Sequence, residues 1–162
     1  MSEMLRGIPF DYEPTRENRF FLEFPSELGI EVWQVQEVKR PSIKINIVEV
    51  NYLNLQEYVA GRMTCDEMDV VLIGLIGPST SQQVMEWVRL HGEFLTGRMG
   101  YNSAMSKTLR LKELDPTGVP ISCWELQRCI LSNVDMGKNS QDSDDIQKIT
   151  LTLRPTKCIQ LF

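Results

Sequence analysis

The chain has 162 residues and a mass of 18.7 kDa, with 42% hydrophobic and 24% charged residues: the size of one ordinary domain, long enough to bury a core without disulfide or metal staples, and too apolar for wholesale disorder. Lys plus Arg number 17 against 22 Asp plus Glu, a formal net charge of -5, which argues against a generally basic nucleic-acid binder, because tight phosphate binding needs concentrated positive charge. No apolar run approaches the roughly 20 residues of a helical membrane span, and the opening MSEMLRGIPFDYEP lacks the basic-then-apolar order of a signal peptide, so composition points to a soluble, acidic domain made inside the cell.

Residues 1–17 are polar, contain Pro9 and Pro14 and show no periodicity, which predicts an extended arm ahead of a single domain over 18–162. A short strand is expected at 19–24 (RFFLEF), then a turn at Pro25, Ser26 and Gly29. Residues 30–39 (IEVWQVQEVK) read as a strand of β-branched and aromatic residues, broken at Pro41. Residues 43–52 (IKINIVEVNY) read as another strand, and 53–61 as a loop or one helical turn closed by Gly61. A long apolar strand follows within 62–76, interrupted by Gly74. Thr80 and Gln83 match a capping box. Val84, Trp87, Val88, His91 and Leu95 recur at helical spacing, so a helix is expected over 80–96, closed by Gly97.

After a polar loop at 98–106, residues 107–113 alternate: Leu109 and Leu111 point one way, Thr108, Arg110 and Lys112 the other. Asp115, Pro116, Thr117 and Gly118 make a tight turn, and 119–131 return as a strand, so the two form a hairpin. A polar loop at 133–145 leads to a last alternating strand at 146–153, with Ile149, Leu151 and Leu153 inward, and a short apolar tail ends at Phe162. Strands, one helix, then strands predict a mainly β domain: two packed antiparallel sheets in a sandwich or partly closed barrel, with one helix on the side.

Catalytic chemistry finds little support. The one histidine, His91, sits on the apolar stripe of the predicted helix, where a hydrogen-bonded core role fits better than a base. Cys65, Cys123, Cys129 and Cys158 form no CxxC pair, so the spacing of a zinc site is missing; they read as reduced thiols. Cys123 and Cys129 on one strand would lie roughly 20 Å apart and beyond bridging distance. The acids at 66, 67 and 69 and at 142, 144 and 145 match no EF-hand loop. The glycines at 92, 97 and 100 follow a helix, whereas phosphate cradles precede one. Trp33, Trp87 and Trp124 lie within apolar periodicity and read as core. No cofactor or metal is called for. What remains is architecture: Gln34, Gln36, Glu125 and Gln127 are the polar outer-face residues of strands 30–39 and 119–131, opposite Trp33, Val35, Trp124 and Leu126. Such strands and an extended arm suit assembly across subunit boundaries.

The order of segments resembles the tail tube proteins of contractile-tailed bacteriophages, over most of residues 18–155. Asn18-Arg19-Phe20 with Phe-Leu-Glu-Phe matches the family's opening strand. Val35 to Val38, then Pro41, matches its V-x-x-P step. Ala60-Gly61 precedes Asp66-Glu67-Met68-Asp69-Val70, and Met85-Glu86-Trp87 lies on the helix. Ile130 to Val134, Gly137, Asp145-Ile146 and the alternating Ile149 to Leu153 match the closing part.

The resemblance implies a structural virion protein and no enzyme. Six-membered rings would stack into a tube whose inner sheets close into one barrel around a channel, with the helix outside. The tube would lie within a contractile sheath, between baseplate and tail terminator, assembled in the host cytoplasm, and double-stranded DNA would pass without tight binding. Gln34, Gln36, Glu125 and Gln127 are then the candidates to line the lumen, since amides and carboxylates supply no cation to hold phosphates. The same fold group includes the inner tube of type VI secretion systems and tube initiators, terminators and baseplate hub pieces.

Overall fold

The computed structural model describes residues 11–162; residues 1–10 of the expected arm lie outside the described part. Residues 11–17 carry no strand or helix, and Arg19 pairs with Glu13 at 3.4 Å.

The centre of the fold is a sixteen-residue strand, Pro120–Asp135 (β7), shared by two sheet regions. Its first half pairs with Lys107–Leu114 (β6) on one side and Lys157–Gln160 (β9) on the other; Phe20–Glu23 (β1) adds to β6. Its second half pairs with Lys148–Arg154 (β8), then Met68–Ile73 (β5), then Val35–Val38 (β2). All these pairings are antiparallel, in the order β1-β6-β7-β8-β5-β2 with β9 beside β7. Arg128, at the junction of the two halves, has φ of 52°, a left-handed backbone typical of a bulge that bends a strand. The bend lets one strand serve both layers, giving the expected sandwich-like mainly β domain without a closed barrel.

Alternation fixes the core. Leu109 and Leu111 of β6, Leu126 of β7, Ile149, Leu151 and Leu153 of β8, and Met68, Val70 and Leu72 of β5 are all buried in one cluster, and Trp124 is half-buried against it. The helix Thr80–His91 (α1) adds Val84 and Trp87. Trp87 meets Phe24 edge-on, with centroids 6.4 Å apart, and its indole N–H donates to the Met105 carbonyl at 2.9 Å. That carbonyl ends a short helix, Asn102–Met105 (α2), inside the segment expected to be loop.

Several expectations are corrected. Residues 30–39 are not one strand: Val32–Gln34 forms a 3-10 turn and the strand starts at Val35. The turn breaks the period of two, so Trp33 is 61% exposed and Gln34 is buried, the reverse of the expected faces. Segment 53–61 is neither loop nor helical turn. Leu55–Cys65 is a strand (β4) that pairs with Ile43–Tyr52 (β3). The helix ends at Gly92, so Leu95 lies fully in solvent. Gly97 instead closes a turn, donating to the Glu93 carbonyl at 3.0 Å with φ of 68°. Thr80 is not the cap: Ser79 precedes the helix, and Thr80 turns inward to donate to the Ile73 carbonyl at 2.9 Å. The apolar tail contains β9.

Candidate assembly surface

β3 and β4 form a two-stranded ribbon between β2 and β5. Its root continues that pair, through Lys39 N–H to the Asp69 carbonyl and Asp66 N–H to the Ser42 carbonyl. Beyond the root, every residue of β3 and all of β4 but its last are exposed. Ile and Val are abundant because β-branched residues favour extended backbone, yet nothing among the described residues covers them. An isolated two-stranded hairpin is marginal in water, which makes this exposed ribbon the candidate surface for contact with another chain.

The apolar surface changes face along the ribbon. The register shifts between Ile45↔Met63 and Ile47↔Ala60, where β4 carries one extra residue. On the root side, Ile43, Ile45 and Ile47 share a face with Cys65, Met63 and Ala60, while the opposite face shows Lys44 and Thr64. Toward the tip, Val48, Val50 and Tyr52 share the other face with Val59, Glu57 and Leu55, while Glu49, Asn51, Tyr58 and Gln56 are behind them. Gln56 donates to Glu49 on that polar side. The ribbon thus offers apolar contact on one face at its root and on the other at its tip. Gly61 sits at the shift; a Cβ there would meet the Asn46 carbonyl oxygen at 3.0 Å.

The four candidate lumen residues do not converge. Glu125 and Gln127 lie together on β7, on the outer face of the β1-β6-β7-β9 region. Gln127 donates to Glu125 at 2.8 Å, and Arg110 approaches Glu125 at 3.7 Å. Arg110 and Lys157 stand opposite them in register, so this face is mixed in charge. Gln36 is exposed on β2 and opens on a polar depression of about 1050 Å³ walled by loop 137–148, which includes Lys138, Asp144 and Asp145. Gln34 is not on an outer face. Its Nε2 donates to Thr80 Oγ1 at 3.2 Å and Gln83 Oε1 at 3.3 Å, its Oε1 accepts from Glu31 N–H at 2.6 Å, and Gln83 donates to the Gly29 carbonyl at 2.7 Å. It ties the 3-10 turn to α1.

The remaining chemistry-bearing residues are spent on structure. His91 Nδ1 lies 3.1 Å from the Trp87 carbonyl, and its Nε2 accepts from Leu131 N–H at 3.1 Å. Both ring nitrogens are engaged by backbone, which fixes the neutral tautomer with the proton on Nδ1. The acids at 66, 67 and 69 go separate ways: Asp66 accepts from Ser42, Glu67 faces Arg154, and Asp69 accepts from Thr152. Cys65, Cys123, Cys129 and Cys158 are free thiols. The ribbon's exposure and the pairing of β9 escaped sequence reasoning.

No helix among the described residues is long and apolar enough to cross a membrane. No protein-family model matches the chain, and no curated protein matches it. Solved structures do. A chain from an extracellular contractile injection system, PVC, described by its sheath/tube terminator in the extended state, is similar with a TM-score of 0.75 at 12% identity, over 94% of this chain and 99% of that one. A chain from the tube-terminating cap of the anti-feeding prophage is similar with a TM-score of 0.75 at 14% identity, over 99% and 98%. A chain from the six-fold symmetrised baseplate of the same prophage is similar with a TM-score of 0.69 at 15% identity, over 93% and 97%. The chain therefore has the tail-tube fold found in the assemblies of contractile injection systems.

Proposed function

We propose that this chain is a ring-forming structural component of a contractile, phage-tail-like injection apparatus, seated at an end of its inner tube. The ribbon β3–β4 carries the proposal: ten- and eleven-residue strands stand in solvent with an apolar patch on each face at different heights. Apolar surface of that kind marks a protein contact. A neighbouring copy on each side of the ribbon covers both patches, and such head-to-tail contacts close as a ring.

The tube-end position draws its support from the similar chains, whose assemblies are described as a sheath/tube terminator, a tube-terminating cap and a baseplate. The six-fold symmetry of that baseplate favours six copies. The partners are then neighbouring copies, the tube ring next to them and the surrounding sheath. The repeating tube subunit of a contractile phage tail is the second reading, favoured by the match of sequence segments to that family. Counting copies separates the two. Quantitative mass spectrometry of purified particles yields about one ring per particle for a tube-end piece, with antibody label confined to a tip; label along the whole tube supports the repeating subunit.

In either position the channel wall carries cargo, DNA in a phage. Glu125 and Gln127 remain our candidates for that wall, with Gln36, while buried Gln34 is withdrawn. Replacing Gln36 and Gln127 together with Lys leaves assembly intact and impairs delivery in a salt-sensitive way if they face a DNA channel. Normal delivery by the double variant removes the lumen assignment.

A further inference from the structure

Two cysteines distant in sequence, Cys65 and Cys158, lie where the ribbon meets the sheet. Cys65 ends β4, opposite Ile43. Cys158 lies on β9, opposite Leu126. β4 and β9 belong to different sheets, yet residues of the two come within 8 Å, Cα to Cα. Cys65 is the neighbouring thiol that, after burial, raises the pKa of Cys158. Both residues are half-exposed, so a small disulfide reaches them. Cys129 stands behind, buried, with its thiol donating to the Leu126 carbonyl at 3.4 Å.

We propose that Cys65 and Cys158 form an intrachain disulfide when the protein meets an oxidised small-molecule disulfide, tying the root of the ribbon to the C-terminal strand. The oxidant is a glutathione-type disulfide. Cys65 gives up its proton and its sulfur attacks one sulfur of the oxidant; the oxidant's S–S bond breaks and one small thiol leaves with that proton. Cys158 then loses its proton, its sulfur attacks Cys65 Sγ, and the second small thiol leaves. Two protein thiols become one disulfide and one oxidised disulfide becomes two thiols, so two electrons and two protons pass to the oxidant.

The environment sets the order of attack. Burial, then the adjacent Cys65 thiol, pushes Cys158 up to about 12, and burial pushes Cys129 up to about 12. Both hold their protons in neutral solution and are poor first attackers. Once Cys65 is a mixed disulfide it presents no competing thiolate, and Cys158 completes the bridge. The bond closes a loop of about 90 residues and fixes the angle at which the ribbon leaves the sheet.

Trypsin separates the thiols cleanly, placing Cys65 in 63–89, Cys123 in 113–128, Cys129 in 129–138 and Cys158 in 158–162. The full chain is incubated with excess oxidised glutathione under native conditions, its free thiols are alkylated, and the digest is read by mass spectrometry. The expected product is 63–89 joined to 158–162, with Cys123 and Cys129 alkylated. The oxidised protein melts roughly 5–10 °C above the reduced one, and Cys65→Ser or Cys158→Ser abolishes the difference. Four alkylated thiols, a stable glutathione adduct without closure, a Cys65–Cys129 link or a link between chains would each overturn the proposal.

Discussion

Gln34 Nε2 donates to Thr80 Oγ1 at 3.2 Å, and neither residue has any exposed surface. The bond joins the turn before β2 to the first turn of α1, and Thr80 passes it on to the Ile73 carbonyl. Gln34→Ala leaves that buried network short of a partner and costs about 1–3 kcal/mol in urea unfolding. Gln34→Lys buries an unpaired charge and prevents accumulation of folded chain, whereas Gln127→Lys, on an outer face, melts close to the parent. A Gln34→Ala cost under about 0.5 kcal/mol would show that the network adds no stability.

Leu151 faces the core from β8, fully buried between partners Val70 and Val134. Leu151→Ala removes packed methyl groups and costs about 2–5 kcal/mol. A loss below about 1 kcal/mol in the same assay would place that face in solvent, one residue out of register.

What the sequence made legible follows burial. β6 and β8 have one face on the core and one in water, so Leu109 and Leu111, and Ile149, Leu151 and Leu153, alternate as a half-buried sheet must. β3 has the same residues but no described part of the chain covers them, and local composition cannot distinguish a buried strand from an exposed one. Trp33 and Gln34 exchanged faces because three residues of 3-10 turn shift the phase. Gly92 and Gly97 both suit a helix end; Gly92 N–H makes the last helical bond, to the Val88 carbonyl, and the chain then folds back so that Gly100 N–H reaches the His91 carbonyl. Cys65 and Cys158 meet only through the arrangement of two sheets.

Gly100 marks that closure. A Cβ there would fall 1.9 Å from the Leu90 carbonyl oxygen, a backbone atom of the helix with nowhere to go. Gly100→Ala therefore forces segment 97–101 away from α1 and lowers the melting temperature. It also speeds amide exchange at Gly92 and Gly100; unchanged exchange at both would mean the close approach is not kept in solution.

Asp115 caps the β6–β7 turn, accepting from Thr117 Oγ1 at 2.8 Å, Thr117 N–H at 2.9 Å and Val119 N–H at 2.8 Å. The Thr117 hydroxyl first, then the Val119 amide, hold its carboxyl below the usual aspartate range. A depressed folded value means the stabilisation is full above the unfolded value, about pH 4, and is lost as the pH falls through the folded one. The melting temperatures of parent and Asp115→Asn thus differ by a constant amount near neutrality and converge in acid. A gap that does not change with pH would show that the carboxylate charge is irrelevant to the turn.

The ribbon bears the central claim, and negative-stain microscopy of the purified full chain tests it most directly, comparing the parent with Val48→Asp/Val50→Asp. Both side chains are already in solvent, so the variant keeps the parent's circular dichroism and nearly its melting temperature. The account predicts rings from the parent and folded, ring-free monomers from the variant. A parent that stays monomeric at high concentration, or a variant that forms rings as readily as the parent, would contradict it.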